Sequence, residues 1–337
     1  MGLPGLKTTD GNDLNTVYYD YIIPIIQRYN EDNVSDFRAL LSYDEDEKVK
    51  NYYLPEAGRM QKLEQDYGMP DYRTFNKGKF QHDTAKYGDA FRYTETFLKD
   101  ASTLDIIRFT QELLIRDKET IKFELLKALI ASGTSANSLY NGVYGTYEGI
   151  SAPPTYGANT FAAGHNHYVG NNYASGTIQL TDITLAKKHI AEHGTTGQFV
   201  GFINSTQTQE IANLATFVYS SDVNKIANPI SDKIAVDGFV GRLLGVDFIE
   251  TEEIPSGYVL IGKFTENDLG KILAFVQPND ASWRGLQLIP AAARPDYPLV
   301  GASARRFFSV AVKNRGSAYC FSCVSGSSVY TSPAYFS

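Results

Sequence analysis

The longest stretch of the chain without glycine or proline runs from residue 89 to residue 132. Within it, Ser102 and Asp105 have the spacing of a capping pair, in which each side chain accepts a hydrogen bond from a free backbone N–H at the start of a helix. Lys127 suits the negative end of the helix dipole, and Gly133 suits the left-handed residue that follows a helix. The sequence therefore predicts one helix from Ser102 to Gly133, roughly 40 Å long at ~1.5 Å per residue.

The apolar side chains of this stretch follow the helical repeat on more than one side of the helix. The main stripe advances in steps of seven and four and consists of Ile107, Leu114, Ile121, Leu125 and Leu129. A second set widens the stripe and consists of Ile106, Phe109, Leu113, Phe123, Leu126 and Ile130. Because a compact domain rarely needs so long a helix, we interpret it as a spine along which smaller parts pack.

The composition is that of a globular protein with an unusual share of aromatic residues. Hydrophobic residues make up 43% of the 337, which is enough for a core and, by length, for about two domains. The chain has 23 Tyr and 19 Phe but one Trp and three Met, and tyrosine-rich surfaces are common at subunit contacts. A tyrosine-rich core with tyrosine-rich loops would give the same composition, so both interpretations stay open.

Charge and hydropathy argue against two classes of protein. The net charge is −7, with no basic tail and no Lys/Arg cluster, whereas gripping nucleic acid requires clustered cations. No run approaches the ~18 apolar residues of a membrane span, and the N-terminal sequence lacks the apolar core of a signal peptide. We therefore expect neither a nucleic-acid-gripping protein nor a membrane protein.

Cys320 and Cys323 lie in the segment AYCFSCVSG, whose alternation predicts a strand. Within a strand, a C-x-x-C pair lacks the helix dipole that activates redox thiols. We therefore expect two reduced, packed cysteines, as in a cytosolic protein.

The residues before the spine divide into an N-terminal arm, 1–43, and a charged aromatic segment, 44–100. We expect 1–17 to be extended. The apolar run that follows surrounds Pro24, which excludes a central strand or an unbroken helix, so it needs a groove on its own chain or on a neighbour. A short helical turn is expected from Val34 to Leu41.

The segment 44–100 has alternating aromatics but few aliphatic residues, which predicts a long two-stranded hairpin with a turn at Lys77-Gly78. Such a hairpin has too little apolar area for its own core, so we expect another molecule to complete it. The alternative is a polar sheet edge of the same domain. The candidate subunit-contact residues of both segments are Tyr21, Ile22, Ile25, Phe75, Phe80, Tyr87, Phe91, Tyr93 and Phe97.

After the spine, 134–176 is a tract poor in aliphatic residues that predicts loops. A second helix is predicted from its cap at Thr181 to Gly194, a strand at 197–204, and a third helix capped by Ser205. The predicted strands that follow are 239–255, 257–264, Trp283 to Pro290, Phe307 to Lys313 and Ala318 to Val324.

Four histidines are the strongest candidates for chemistry. His189 and His193 share a helix face, and together with His165 and His167 they have the composition of a zinc site. The alternative, which we favour here, is solvent-exposed histidines on a helix and a loop. The acidic runs 44–47 and 250–253 are typical of solvated charge, and Arg305-Arg306 is typical of half of an ion pair. The residues therefore predict no catalytic residue, no cofactor-binding residue and no bound metal.

The order of the segments resembles one known family. GDAFRYTETFLKDASTLDII (88–107) resembles the return strand of an extended loop (E-loop) entering a spine helix, and GQFVGFINSTQTQEIANL (197–214) resembles an axial-domain (A-domain) strand with its short helix. GRLLGVDFIETEEIPSGYVLIGKF (241–264) resembles paired A-domain strands, and ARRFFSVAVKNRGSAYCFS (304–322) a late strand and turn of a peripheral domain (P-domain). In this order they resemble the major capsid protein of tailed bacteriophages, which has the Hong Kong 97 fold.

The resemblance implies an α+β fold of Hong Kong 97 type in five parts. These are an N-terminal arm (1–43), an E-loop (44–100), a P-domain with spine helix and insertion (101–180), an A-domain (181–300), and a return to the P-domain (301–337). The tract 134–176 is longer than the basic plan needs, which leaves room for contacts with neighbours or cement proteins.

The resemblance also implies a structural, non-enzymatic function, in which the protein self-assembles into an icosahedral head around phage double-stranded DNA. The implied partners are many copies of itself as hexamers and pentamers, separate scaffolding and portal proteins, and DNA bound without sequence-specific contacts. The implied location is the virion, after assembly in the host bacterial cytoplasm. An acidic chain suits a container wall that must not stick to its DNA.

Three other functions stay open on the sequence. An encapsulin-type nanocompartment shell resembles the same fold, and a phage tail or neck protein would form rings or tubes instead. A zinc-dependent enzyme would use His165, His167, His189 and His193.

Overall fold

The structure is a computed structural model of the chain. It describes residues 7–31, 36–46, 50–53, 77–80, 84–94, 97, 100–132, 156, 158–162, 165–170, 176–195, 197–221, 238–265, 270–290, 299–323 and 330–336. The α-helices are α1 Leu14–Thr16, α2 Ile23–Glu31, α3 Asp36–Leu41, α4 Thr103–Ile130, α5 Leu180–Glu192 and α6 Ser205–Ala212, with a π-helical segment Val17–Ile22 between α1 and α2. The strands are β1 Ser42–Asp46, β2 Lys50–Tyr53, β3 Lys77–Phe80, β4 Ala85–Thr94, β5 Tyr168–Gly170, β6 Gln198–Ile203, β7 Val218–Tyr219, β8 Phe239–Leu243, β9 Val246–Glu250, β10 Tyr258–Phe264, β11 Leu273–Gln277, β12 Gln287–Pro290, β13 Leu299–Val312 and β14 Ala318–Ser322.

The spine helix α4 begins as predicted. Ser102 is its N-cap: the Ser102 backbone N–H donates to Asp105 Oδ2 (3.0 Å), and the Asp105 N–H donates to Ser102 Oγ (3.3 Å). The helix runs for 28 residues, or about 42 Å. It ends earlier than predicted, because Ala131 is already extended and forms the C-cap. Gly133 lies outside the described residues.

Five of the described strands form one sheet. Strand β13 is its centre, pairing antiparallel with β11 through its C-terminal part and with β12 and β4 through its N-terminal part, while β1 pairs parallel to β11. The pairing of β4 runs from Ala85 opposite Phe308 to Thr94 opposite Leu299. The alternation seen in this part of the sequence therefore comes from a sheet within the same chain.

The predicted hairpin turn at Lys77-Gly78 is wrong. Both residues lie inside β3, which pairs antiparallel with β2. The strand predicted as the second arm of the hairpin, β4, pairs instead with β13. For β4 the alternative prediction, a sheet edge of the same domain, is therefore the observed one.

A seven-stranded sheet has the order β5-β14-β10-β6-β9-β8-β7. Its strand β14 follows residue 300, whereas β11 and β12 precede residue 300 and lie in the other sheet. Strands of the two sheets therefore alternate along the chain around residue 300, and the boundary there stays a prediction. The chain crosses between the sheets in the short connection from β13 to β14, so these consecutive strands are not paired with each other.

Two predictions within the seven-stranded sheet need correction. The segment predicted as one strand, 239–255, is a hairpin of β8 and β9, whose turn residues Leu244 and Gly245 both have positive φ. Helix α5 begins earlier than predicted, since Gln179, not Thr181, is its N-cap. Its end is as predicted, with Gly194 in the left-handed region (φ 67°).

The arm is helical from Leu14 to Glu31, so the predicted extended segment is wrong for residues 14–17, whereas residues 7–13 form a turn with a bridge between Lys7 and Asp13. The helical part winds through α1, the π-helical segment and α2, and Pro24 occupies the first turn of α2, where a missing N–H is tolerated. The prediction that Pro24 excludes an unbroken helix is wrong, because the chain stays helical from Leu14 to Glu31 and Pro24 lies inside α2. The short helix predicted before Leu41 is confirmed and is α3.

Apolar clusters connect these elements, and two of them contain residues of the spine. The largest contains the C-terminal half of α4 (Ile121, Leu125, Leu129) and joins Phe308 of one sheet to Phe202 of the other. A second lies between α5, α6 and the seven-stranded sheet. A third lies between the arm, the N-terminal half of α4 and β12. The interpretation of α4 as a spine is therefore confirmed. The groove in which the apolar part of the arm lies is formed by the same chain and not by a neighbour.

The two cysteines are as predicted. Cys320 in β14 and Cys323 just after it are both buried and unbonded to each other. The Cys320 thiol donates to the Leu129 carbonyl of the spine (3.2 Å), and burial raises the pKa of Cys320 far above its ordinary value.

Candidate subunit-contact surface

The arm candidates differ in how far they are exposed. Tyr21 is 44% exposed and its neighbour Tyr19 is 58% exposed. Ile25 is half-buried, and Ile22 is buried in the cluster between the arm and the spine. Tyr21 is therefore available to a neighbouring molecule, while Ile22 is enclosed by its own chain.

Four of the E-loop candidates are placed only by their backbone, or not at all. Phe80 is the last residue of β3, and Phe91 and Tyr93 lie in β4, which pairs with β13. Phe75 lies outside the described residues. The two strands belong to different sheets, so these residues do not share one strand pair.

Tyr87 and Phe97 pack within the chain. The Tyr87 ring stacks on Phe308 with 4.5 Å between centroids, and Phe97 meets Phe109 edge-on at 5.5 Å. Burial raises the pKa of Tyr87 to about 12, and the Glu124 carboxylate adds to the shift. Both rings are half-buried, so only part of each ring remains for a neighbour.

The N-terminal half of the spine exposes apolar side chains that the sequence assigned to no contact. Leu104 and Ile115 are 54% and 55% exposed, and eleven residues, about three turns, place them on the same helix face. Phe109, on a second face, is also exposed. Unless a partner covers these side chains, their apolar surface is exposed to water, as is typical of an interaction surface.

A buried polar group fixes the arm, the spine and the five-stranded sheet relative to one another. Arg306 of β13 pairs with Asp117 of α4, with Nη2 and Oδ2 2.8 Å apart, and Tyr29 of α2 donates to the same carboxylate (2.8 Å). The prediction of an ion pair at Arg305-Arg306 is confirmed for Arg306. Its partner was missed, because Asp117 has no sequence pattern that links it to β13.

The N-terminus of the spine has a second cap from outside the helix. The Thr103 backbone N–H donates to Asp10 Oδ1 (3.1 Å), and hydrogen bonds from the Thr8 and Thr103 side chains lower the pKa of Asp10 to about 2. A carboxylate at this position also suits the positive end of the helix dipole. The arm is therefore attached to the spine at this end as well.

The acidic runs are partly solvated, as predicted: Asp44 and Glu252 are exposed, but other carboxylates of these runs are buried or paired. In β1, Glu45 is buried and Asp46 lies 2.6 Å from Arg284. At the other run, Glu252 accepts a hydrogen bond from Asn204 (3.0 Å) and Glu253 pairs with Lys122 of the spine (3.6 Å). These carboxylates serve local pairing, which is a structural role.

The histidines considered as a zinc site lie together. The Nε2 atoms of His165, His167 and His193 are 2.9 or 3.0 Å apart, and the His189 ring stacks on His165 at 5.3 Å. His167 is fully buried and the other three are half-buried. The favoured prediction, solvent-exposed histidines on a helix and a loop, is therefore wrong.

No protein-family model and no curated protein matches the chain. Solved structures do. A chain of Mycobacterium phage Patience is 21% identical, covers 100% of this chain and 97% of its own length, and superposes with a TM-score of 0.68. A chain of the bacteriophage PhiM1 mature capsid is 10% identical, with coverage of 85% and 86% and a TM-score of 0.53. A chain of the cyanophage P-SCSP1u capsid is 9% identical, with coverage of 84% and 86% and a TM-score of 0.51.

These likenesses show the fold. The chain has an α+β fold of the Hong Kong 97 capsid type, as the order of its segments predicted. Among the described residues, no helix is both long enough and apolar enough to cross a membrane.

Proposed function

We propose that the chain is a structural major capsid protein that self-assembles into the icosahedral head of a tailed phage and encloses double-stranded DNA. The observation that carries this proposal is the fold, which the chain shares with chains of the PhiM1 and cyanophage capsids over 86% of their length. Because one fold can serve several functions, the proposal also needs support from the surface of the chain.

That support comes from apolar side chains that the subunit leaves uncovered. Tyr19 and Tyr21 on the arm and Leu104 and Ile115 on the spine are between 44% and 58% exposed. Aromatic and aliphatic residues of this kind form the cores of subunit contacts. A shell of many copies gives each of these surfaces a neighbour.

The parts of the subunit correspond to the parts of the proposed shell protein. The spine with the five-stranded sheet forms the P-domain, and the seven-stranded sheet with α5 and α6 forms the A-domain. In this proposal, β11 and β12 belong to the P-domain because they share the sheet of β13, and β14 belongs to the A-domain because it pairs with β10 and β5. Residues 1–43 remain the arm and 44–100 contain the E-loop.

The function in this proposal is structural and not enzymatic. Two pairs of charged residues that are buried or largely buried, Arg306–Asp117 and Arg242–Asp247, stabilise the described part of the fold. The proposed partners are further copies as hexamers and pentamers, separate scaffolding and portal proteins, cement proteins, and DNA without sequence-specific contacts. The location is the virion, after assembly in the cytoplasm of the host bacterium.

Electron microscopy tests the proposal directly. The chain is expressed alone and together with the genes that flank its own, and the particles are negatively stained. Closed polyhedral particles of uniform size are expected. A monomer that stays soluble under both conditions, or rings and tubes, would contradict the shell.

The content of the particles separates a phage head from a nanocompartment. Particles from cells that carry the flanking genes are treated with nuclease and then opened. Protected double-stranded DNA is expected. Closed shells that contain a cargo enzyme and no DNA would favour the encapsulin-type alternative.

A further inference from the structure

Three histidine nitrogens converge at the edge of the seven-stranded sheet. His165 and His167 directly precede β5, and His193 is the C-cap of α5. Their Nε2 atoms form a nearly equilateral triangle, with sides of 3.0 Å (165–167), 2.9 Å (165–193) and 3.0 Å (167–193). His165 and His167 lie in the same short segment, with His167 at a bend just before β5.

The tautomer of His167 is set by its other ring nitrogen. Nδ1 of His167 lies 2.7 Å from the carbonyl oxygen of Ala318 in β14. A carbonyl only accepts, so Nδ1 carries the proton, and in the neutral ring Nε2 presents a lone pair to the cluster. A histidine that donates its second N–H to a backbone carbonyl is oriented in the way that metal-binding histidines usually are.

Hydrogen bonds among the three rings cannot satisfy the triangle. Each neutral Nε2 offers either one proton or one lone pair, directed along a single line in the ring plane. With His167 Nε2 unprotonated, at least one side of the triangle brings two lone pairs or two protons together. One cation at the centre would accept all three lone pairs and remove this conflict.

The surroundings of the three rings are largely apolar. His167 is fully buried, the Phe161 ring stacks on His193 with 4.4 Å between centroids, and the Tyr319 ring centroid lies 5.7 Å from that of His167. Burial disfavours the charged form of imidazole, and metal ions bind imidazole in its neutral form. The environment of the rings therefore suits a metal as well as their geometry does.

We propose that His165, His167 and His193 bind one Zn²⁺ ion through their Nε2 atoms, with solvent in the fourth position. Imidazole suits zinc, and three nitrogens bound at ~2.0–2.1 Å with tetrahedral angles stand about 3.3–3.4 Å apart. The rings therefore need to separate by only a few tenths of an ångström. The ion would join the end of α5 to the segment that leads into β5.

The neighbouring residues limit how far the rings can move. A Cβ atom on Gly316 would lie 2.7 Å from Cγ of His193, so the connection between β13 and β14 packs directly against this ring. On the other side, Cys320 N–H donates to the His167 carbonyl (2.8 Å). Backbone on both sides thus fixes two of the three ligands before any ion binds.

His189 provides a matched control. It lies one turn before His193 on α5, and its ring stacks on His165, but it does not belong to the group of three converging histidines. Its Nδ1 is buried without a hydrogen-bond partner among the described residues. Because its ring lies parallel to His165 instead of pointing at the triangle, it is excluded from the ligand set.

Zinc stoichiometry and affinity test the site on unassembled subunits of the full chain, so the result does not depend on shell formation. The chain is purified without a polyhistidine tag, stripped with a chelator, and titrated with Zn²⁺ against a chromophoric competitor. The wild type and His189→Gln are expected to bind about one ion per chain. His193→Ala and His167→Gln are expected to lower the affinity for Zn²⁺ more than roughly 100-fold. That loss exceeds the roughly 10–100-fold effect of removing a residue that only hydrogen-bonds to a metal ligand.

Two further measurements keep the test decisive where a variant is poorly folded. Circular dichroism compares the variants with the wild type, and Co²⁺ added to the stripped wild type is expected to give the intense visible absorption of a tetrahedral site. A wild type that takes up no zinc and shows no such absorption would overturn the site. Equal zinc uptake by wild type and by folded His193→Ala would also overturn it, since the metal would then be adventitious.

Discussion

Arg306 and Asp117 form a buried ion pair in which the guanidinium meets both carboxylate oxygens. Nε of Arg306 lies 2.9 Å from Oδ1, and Nη2 lies 2.8 Å from Oδ2; the two side chains are 2% and 8% exposed. Tyr29 donates a third hydrogen bond to the carboxylate, and its pKa is raised by burial and by this negative charge. One carboxylate therefore holds three parts of the chain that are far apart in sequence.

Asp117→Ala is expected to lower the free energy of unfolding by about 3–5 kcal/mol, because it leaves the Arg306 guanidinium buried and unpaired. Urea unfolding of unassembled subunits measures the change. Asp89→Ala is the matched control: it breaks the Arg116–Asp89 pair, which has an N–O distance of 2.9 Å but side chains 64% and 41% exposed. That control is expected to cost less than about 1 kcal/mol. Equal losses in the two variants would show that burial of the pair does not matter.

Leu244→Asn is expected to stabilise the subunit. Leu244 is the first residue of the two-residue turn between β8 and β9 and has φ 51°, a conformation that costs an ordinary L-residue roughly 1 kcal/mol but suits Asn followed by Gly. Thermal unfolding should show a higher midpoint. Leu185→Asn on α5 alters a leucine of similar exposure (41% against 38%) in a helix, where Asn is unfavourable, so this control should not stabilise. A lower unfolding midpoint for Leu244→Asn than for Leu185→Asn would contradict the left-handed backbone conformation at Leu244.

Acid is expected to weaken the attachment of the arm to the spine. The pKa of Asp10 falls from 3.8 to about 2 on folding, so the unfolded chain binds this proton at a higher pH than the folded chain. The stabilisation is complete above about pH 4 and is lost as the pH falls towards about 2. Urea unfolding at a series of pH values should therefore show a smaller loss over this window for Asp10→Asn than for the wild type. If the free energies of unfolding of the wild type and Asp10→Asn depend on pH in the same way, Asp10 is not a source of acid sensitivity.

Local sequence patterns predicted the elements that short-range interactions determine. The cap formed by Ser102 and Asp105 involves residues only three apart. The left-handed conformation of Gly194 is what a glycine directly after a helix usually adopts. Both could therefore be predicted without knowledge of the fold. The overall fold was predicted from the order of the segments. The pairing of β4 could not be, because alternation shows that a strand has two faces but not which strand lies beside it.

The buried groups depend on contacts between distant residues. Arg306 and Asp117 are 189 positions apart, and His193 is 26 positions from His167, so neither set forms a motif. One signal was present for Arg306. In a strand, adjacent side chains face opposite sides, so of Arg305 and Arg306 one had to face inward, and an inward arginine requires a buried carboxylate.

Tyr21→Asp and Ile22→Asp are expected to separate assembly from folding. Both add the same charge at adjacent positions, but Tyr21 is 44% exposed and Ile22 is 4% exposed. Tyr21→Asp should leave the stability of the subunit within about 0.5 kcal/mol of the wild type and reduce the yield of closed particles, because it places a charge in the proposed contact. Ile22→Asp should destabilise the subunit itself, since a carboxylate would lie among Ile26, Ile106 and other residues of the arm–spine cluster.

Particle yield by light scattering and microscopy, together with urea unfolding of unassembled subunits, distinguishes these effects. Tyr21→Phe keeps the ring and should assemble as the wild type does. Deleting the whole arm would be a poorer experiment, because α1 and α2 cover Leu113 of the spine and their loss would expose core. Normal yields from a folded Tyr21→Asp chain would remove Tyr21 from the contact surface, and would leave the exposed spine face at Leu104 and Ile115 as the surface to alter next.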